Sequence, residues 1–427
     1  MESCGTLLGE AHPDGRAGGC AVAVVGTGLA GIAAALALAD SGVPCVLIGP
    51  APTATSLGRD TRTTALFGGS IELLRHVGVW DHLAGKTQPL QALRLIDATG
   101  ALVRAPEVLF QSREIGLETF GYNVENRDLL ATMWERAEST PLVRRCEAPA
   151  RDILPGEDRV EIVLGDGSRL AALLVVGADG EASICRAAAA IAVRRWDYPQ
   201  VAIATRFSHT RPHGDISTEL HRRAGPMTTV PLKGNASSLV WVETRVEASR
   251  LMELGQTSFA AELQGHLHGL LGRIGDVGAR ARFPLSGLEA ERLGARRVAL
   301  VGEAAHRLPP IGAQGLNLGL RDVAWLAGLV GGEMGAGRDP GAPGVLAAYE
   351  RARRGDVVSR TLAVDALNRA LIADLLPGDI MRGAGLAVLR DVPWLRRSVM
   401  REGVAPAGPQ PRLLMPPAPS TCGSSGP

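Results

Sequence analysis

The sequence predicts an α/β fold in which an open, mainly parallel sheet is interrupted by a mainly antiparallel β insertion and followed by helices. Three observations carry this expectation. Residues 21–48, AVAVVGTGLAGIAAALALADSGVPCVLI, run as apolar strand, glycine turn, apolar helix and second strand. Between 198 and 243 come the runs AIATRFSHT, ISTELHR, MTTVPL and SSLVWVE, separated by short turns, as antiparallel strands are. Residues 296–330 then repeat the first theme: RRVALV reads as a strand, a Pro/Gly loop follows, and GLRDVAWLAGLV has helical spacing.

At 427 residues the chain exceeds one typical domain, so two domains and a smaller appendage are expected. Charges nearly cancel, 45 basic against 44 acidic, so no bulk field favours nucleic acid. Lys86 and Lys233 are the only lysines, which argues against Schiff-base chemistry. Cys4, Cys20, Cys45, Cys146, Cys185 and Cys422 are scattered, with no C-x-x-C pair, and read as free thiols in a reducing compartment. Residues 1–19 lack the pattern of a signal peptide and read as disordered. Residues 21–39 carry no charge and would pass for a membrane span, but their glycines explain them better.

Gly26, Gly28 and Gly31 occupy the G-x-G-x-x-G positions of a dinucleotide-binding turn. The first turns the chain, the second lets backbone approach a pyrophosphate, and the third permits close packing of helix on sheet. The acid expected about 20 residues on, which would bond a ribose, is absent: the second strand ends in Ile48, Gly49 and Pro50. SIELLRHVGVW, residues 70–80, reads as an amphipathic helix, and LQALRLIDATG alternates as a strand. Asn126 and Arg127 open a further helix, with Asn126 as its cap. Two strands then flank the turn at 165–167, and a buried strand ends in GADG at 177–180. His209, His213 and His221 read as ordinary strand residues, because no cysteine or acid completes a ligand set, and no metal is expected. GRIGDVG at 272–278 lacks a preceding strand and is discounted as a nucleotide loop. Residues 343–400 are helical in period, broken at Pro377 and Pro393, and the Pro/Ser-rich end, 405–427, reads as disordered.

In VGEAAHRLPPIGAQGLNLGLRD, residues 301–322, Pro309, Pro310, Gly312 and Gly315 can neither continue a strand nor keep backbone away from a flat ligand. The loop should present backbone N–H groups at a helix start, suited to a group that becomes anionic, as a reduced flavin does. Here the sequence resembles the FAD-dependent aromatic hydroxylases, class A flavoprotein monooxygenases, and most of all their ubiquinone-biosynthesis members. In these a G-D-A-A-H-x-x-x-P motif is followed by G-Q-G-x-N; Glu303 stands in this chain where the motif has aspartate. Carried over by this resemblance, cofactor contacts are expected at Gly26, Gly28, Gly31, Arg62, Arg127, Asp179, Gly180, Gly302, Glu303, Pro310, Gly312, Gly315, Leu316 and Asn317.

The resemblance implies a Rossmann-like FAD domain of the aromatic hydroxylase and glutathione reductase type, assembled from residues 20–90, 121–190 and 285–343. An antiparallel substrate domain would comprise 91–120 and 191–284, with C-terminal helices over 344–404. It implies non-covalent FAD, NAD(P)H as co-substrate without a second dinucleotide fold, and O2 activated as a flavin C4a-hydroperoxide that hydroxylates a phenolic ring. The run from Tyr198 to Leu232 is similar to the ubiquinone-biosynthesis subgroup, which implies a polyprenyl phenol substrate and a ubiquinone-biosynthesis complex as partner. The alternatives are another flavin enzyme on this fold, such as a soluble-phenol hydroxylase or polyprenyl reductase, and a non-catalytic assembly partner. No catalytic base stands out. A cytoplasmic protein is expected, and peripheral contact with the inner membrane would rest on 380–400, IMRGAGLAVLRDVPWLRRSVM. The commoner use of such a face is to cover a core.

Overall fold

The computed structural model describes residues 19–100, 106–372, 388, 390–404 and 408–416. Its first sheet runs in the order Val298–Leu300, Arg169–Gly177, Gly19–Val25, Cys45–Ile48 and Val143–Cys146, all parallel. Val160–Leu164 and Ala150–Pro155 extend Arg169–Gly177 as an antiparallel flap. The continuous apolar run at Val22–Val25 follows from this position, since a central parallel strand is covered on both faces. Helix Leu29–Asp40 is apolar all round for the same reason: it lies between the sheet and the helices Asn126–Glu138 and Gln314–Gly335. Among the described residues no helix is long and apolar enough to cross a membrane.

A second sheet runs His306–Arg307, Ala281–Ala290, Val193–His209, Ala236–Thr244, Met227–Leu232, Ile216–His221, Ala92–Asp97 and Val108–Gln111. Every pairing along it is antiparallel except that of Ile216–His221 with Ala92–Asp97. The alternation read from 198 onward is this sheet's two-sidedness. Ile203, Phe207 and Trp241 point to one face and pack against Phe259, Leu263 and their helices, Arg245–Glu253 and Gln256–Leu267. The other face turns towards the first sheet. A small sheet of Thr63–Phe67, Gly121–Glu125 and Thr87–Leu90 stands between them.

Three local expectations change. The helix read at 70–80 is Gly68–His76, with a separate 3-10 turn at Trp80–Leu83, because Gly78 at φ +69° breaks it. Asn126 is the first helical residue rather than the cap: Glu125 holds the cap position, and the Asn126 side chain accepts from Thr64 Oγ1 at 2.6 Å. Residues 408–416, read as disordered, are docked; Leu413 and Leu414 are buried, Met415 O lies 3.0 Å from His76 Nε2, and Arg412 pairs with Asp40. The Leu-Leu pair inside a Pro/Ser-rich tail supplies the apolar contact, and Arg412 and Met415 the polar ones. Residues 1–18 lie outside the described residues, as do 373–387 and 389, which cover much of the segment considered for membrane contact.

Candidate active site

A cavity of about 760 Å³ opens between the two sheets. At one end it is walled by Gly28, Leu29 and Ala30, where helix Leu29–Asp40 begins without a side-chain cap, so its first backbone N–H groups face the space. An added Cβ at Gly28 would meet no atom within 4 Å, whereas one at Gly31 would lie 1.9 Å from Gly26 O and one at Gly26 2.3 Å from Ala178 O. The three glycines therefore have different duties. Gly26 and Gly31 let backbone segments touch, and Gly28 alone of the three keeps ligand space clear.

Helix Gln314–Gly335 also aims its N-terminus at the cavity, again uncapped. Its preceding residue, Ala313, sits at φ +53°, a left-handed conformation costly for a non-glycine residue. Asn317 holds that turn. Completely buried, it donates to Ala65 O at 2.8 Å and Ala313 O at 2.7 Å and accepts from Phe67 N at 3.0 Å and Ser70 Oγ at 2.7 Å. Gly302, Glu303, Pro310, Gly312, Gly315 and Leu316 line the same stretch, and Gly180 and Arg62 face them. Arg62 is held by Asp60, with Nε–Oδ1 and Nη2–Oδ2 both 2.8 Å. Burial would raise the Asp60 carboxyl, but Arg62 outweighs it and keeps it below the usual carboxylate range.

Of the expected positions, Gly26, Gly31, Arg127, Asp179 and Asn317 are not on the cavity wall. Arg127 pairs with Glu125 Oε2 at 2.8 Å and is not on the cavity wall. Asp179 accepts from Ser183 Oγ at 2.6 Å and Cys185 N at 3.2 Å, and so braces the short helix Ile184–Ala188.

Beneath the 301–322 loop lies a buried ionic network that no sequence motif announces. Asp322, fully buried, takes His306 Nε2 at 2.5 Å and Gly302 N at 3.2 Å on Oδ2, and Arg353 Nε at 2.8 Å on Oδ1. Asp356 gathers Arg321, Arg353 and Arg360, and Arg360 Nη1 reaches Gln314 Oε1 at 2.9 Å. Burial alone would raise Asp322, yet His306 and Arg353 hold it below the usual range; Asp356 is lowered in the same way by its arginines. Burial, the largest effect on Arg321, brings its guanidinium down to about 10. The one signal in the sequence was an Arg321–Asp322 pair inside an apolar helix, since such residues are buried only when partnered.

The histidines find local partners. His209 contacts Ser237 Oγ and Arg211 O, and His213 contacts Leu232 O. Among the described residues no group of three or more could hold a metal ion.

The chain matches the FAD binding domain family over residues 19–362. It belongs to that family. The ubiquinone hydroxylase UbiL of Rhodospirillum rubrum is 37% identical over 92% of each chain. The 3-demethoxyubiquinol 3-hydroxylase of Escherichia coli is 31% identical, covering 89% of this chain and 97% of its own. The human mitochondrial ubiquinone biosynthesis monooxygenase COQ6 is 27% identical over 89% of this chain and 91% of its own. Among solved structures, p-nitrophenol 4-monooxygenase PnpA of Pseudomonas putida superposes with a TM-score of 0.72 at 18% identity, over 90% of this chain and 97% of that one. PqsL of Pseudomonas aeruginosa gives the same TM-score of 0.72 at 22% identity, over 86% of this chain and 99% of that one. These two likenesses establish the fold. The protein is a flavin-dependent monooxygenase, and its cavity fits the cofactor: one end is glycine-lined and rimmed by two uncapped helix starts, as an anionic dinucleotide needs.

Proposed function

We propose that this flavin-dependent monooxygenase hydroxylates the aromatic ring of a polyprenylated phenol in ubiquinone biosynthesis, consuming NAD(P)H and O2. The carrying observation is the continuity of one cavity from the glycine-lined end to an apolar end. There Leu93, Phe110, Phe120, Met400 and Val404 leave space for a hydrocarbon tail. FAD would supply the redox chemistry, activating O2 for transfer of one oxygen atom.

The protein's part is holding and shaping. In this reading Gly28 and the N–H groups of Leu29 and Ala30 receive the pyrophosphate, and Arg62 and Glu303 address the polar middle of FAD. Gly312, Gly315 and Leu316 present backbone to the flavin ring. Gly26, Gly31 and Asn317 act one step back, by keeping the segments that bear those groups in place. Asp322 does the same for Gly302.

Access to a lipid-like substrate would come from peripheral contact with the membrane near helix Pro393–Val404, which lines the apolar end and leaves Trp394 68% exposed. Arg396 is not available for lipid: it pairs with Glu114 Oε1 at 2.5 Å and stands over Phe110. Contact would fall to Trp394, Val399 and Arg397, and a biosynthetic complex on the same surface is part of the proposal.

The test is restoration of quinone. A ubiquinone-deficient strain lacking its ring hydroxylases should regain ubiquinone when given this chain, with one hydroxylation intermediate disappearing. Purified protein should be yellow and release FAD on denaturation. No restoration in strains lacking any ring hydroxylase would reject the substrate assignment.

A further inference from the structure

The cavity wall built by the inserted sheet carries one carboxylate. Ile216–His221 alternates, so Ser217, Glu219 and His221 share a side, and Ser217 and Glu219 line the cavity. Their neighbours there are mostly apolar or hydroxylic: Thr228, Val230, Ser238 and Val240. The Glu219 side chain is only 9% exposed. Its Oε1 lies 2.8 Å from His221 Nε2, and its Oε2 has one long contact, 3.4 Å from Thr228 Oγ1.

Among the described residues the other acids on the cavity wall are Asp60 and Glu303. Asp60 is tied to Arg62, and Glu303 belongs to the 301–322 loop. Glu219 has a histidine, not an arginine, as its ionic neighbour. A buried carboxylate has several lone-pair sites to satisfy and is costly without donors. Glu219 lines the cavity, and its Oε2, with one long contact, has acceptor capacity to spare. His221 Nδ1 is buried and has no hydrogen-bond partner, so the ring's one hydrogen bond is the contact that aims the carboxylate.

We propose that Glu219 accepts the hydrogen bond of the substrate's ring hydroxyl and takes its proton during hydroxylation, with His221 as the positioning residue. This rests on the aromatic-hydroxylase reading above. A phenol, with an ordinary pKa of about 10, stays neutral beside a carboxylate in the resting complex. As a ring carbon ortho or para to the hydroxyl uses a ring electron pair to form its C–O bond, the O–O bond of the dioxygen reduced by NAD(P)H breaks. The hydroxyl oxygen then gains positive character, its O–H becomes strongly acidic, and its proton passes to Glu219. Loss of the ring C–H proton restores the aromatic ring, that proton goes to the second oxygen atom, which leaves as water, and Glu219 returns its proton to the hydroxyl oxygen.

The experiment uses the FAD-loaded full chain, a short-chain prenylated phenol and its O-methyl ether. Titration calorimetry without NAD(P)H should show the wild type binding the phenol about tenfold or more tighter than the ether, as expected of a hydrogen bond to a charged group. Glu219→Ala and His221→Leu should erase that preference, and His221→Gln, which keeps a donor, should retain it. Glu219→Gln should keep FAD and most phenol affinity while product formed per NAD(P)H collapses and hydroxylation falls about 10²- to 10⁴-fold. Equal binding of phenol and ether by the wild type would overturn the proposal even if no variant folds. So would hydroxylation by Glu219→Gln within about threefold of an active wild type. A wild type that hydroxylates no phenol would overturn the functional reading and this proposal with it.

Discussion

The two ends of the cavity are built by opposite means. At the glycine-lined end the wall is backbone: Gly28, Gly180 and Gly315 have no atom within 4 Å of an added Cβ, and two helix starts supply the polar groups. At the other end the wall is side chain, Leu93, Phe110, Phe120 and Met400 with Glu219 as the charged exception. Backbone walls demand glycine at fixed positions, whereas side-chain walls accept many residues of suitable size and polarity. The first end should therefore fail abruptly on substitution and the second gradually.

Gly28→Val is the sharpest probe of that difference. Gly28 has φ −78° and open space around it, so the variant should fold with stability within about 0.5 kcal/mol of the wild type. FAD affinity should nevertheless drop about a thousandfold or more, roughly 4 kcal/mol of lost binding, read by flavin fluorescence titration. Unchanged affinity in a folded Gly28→Val protein would show that the glycine end is not the dinucleotide site.

Asp322→Asn tests the support under that end. Removing one partner of a buried ionic network costs about 3–5 kcal/mol, to be read from urea unfolding at neutral pH. The pH dependence has a definite sign. Asp322 and Asp356 have lowered folded pKa values, so their stabilisation is complete above the ordinary carboxylate range near 4 and is lost as pH falls through the folded values. Wild type should lose stability below about pH 4, and Asp322→Asn should show a shallower acid loss. Equal slopes would mean that Asp322 does not contribute to this dependence.

Gly49→Glu asks whether the missing ribose acid can be restored. Gly49 lies at φ +145°, and its added Cβ would stand 3.0 Å from Thr27 Cγ2, so the variant should be destabilised by about 1–3 kcal/mol in thermal melts. A stable Gly49→Glu protein with tighter FAD binding would show that the strand end can relax to accept the acid.

At the side-chain end, Val404→Trp should raise KM for a long-chain phenol about tenfold through overpacking of 1–3 kcal/mol, leaving FAD affinity and short-chain turnover near wild type. The smallest effect belongs to the surface. Trp394→Ser with Arg397→Glu should lower co-flotation with anionic liposomes several-fold, by about 1 kcal/mol per basic charge removed, without a change in melting temperature. Flotation equal to wild type would remove helix Pro393–Val404 from the lipid-contact proposal.

These contrasts follow what was legible in the residues. Glycine turns, the strand-loop-helix at 296–330 and the alternation after 198 declare themselves locally, because spacing of 2 or 3.6 residues and fixed glycine positions are properties of a short stretch. They also distinguish a nucleotide-binding helix from a membrane span at 21–39. The roles within the motifs were less legible: Asn317 and Asp179 brace backbone, and Arg127 pairs with Glu125, because the direction of a side chain depends on what packs around it.

By itself the sequence determined the α/β class, the two glycine-bearing segments, the two-sided inserted sheet and the family resemblance, each of which is a pattern along one stretch of chain. Only the tertiary structure decided that Asp322 meets Arg353, that Leu413 and Leu414 close over helices Gly68–His76 and Gln314–Gly335, and that Glu219 lines the cavity with His221 beside it. In each case the deciding fact is a partner or cavity wall contributed by a distant part of the chain. A buried charge or an apolar pair acquires its meaning from those surroundings, and they exist only once the layers have packed.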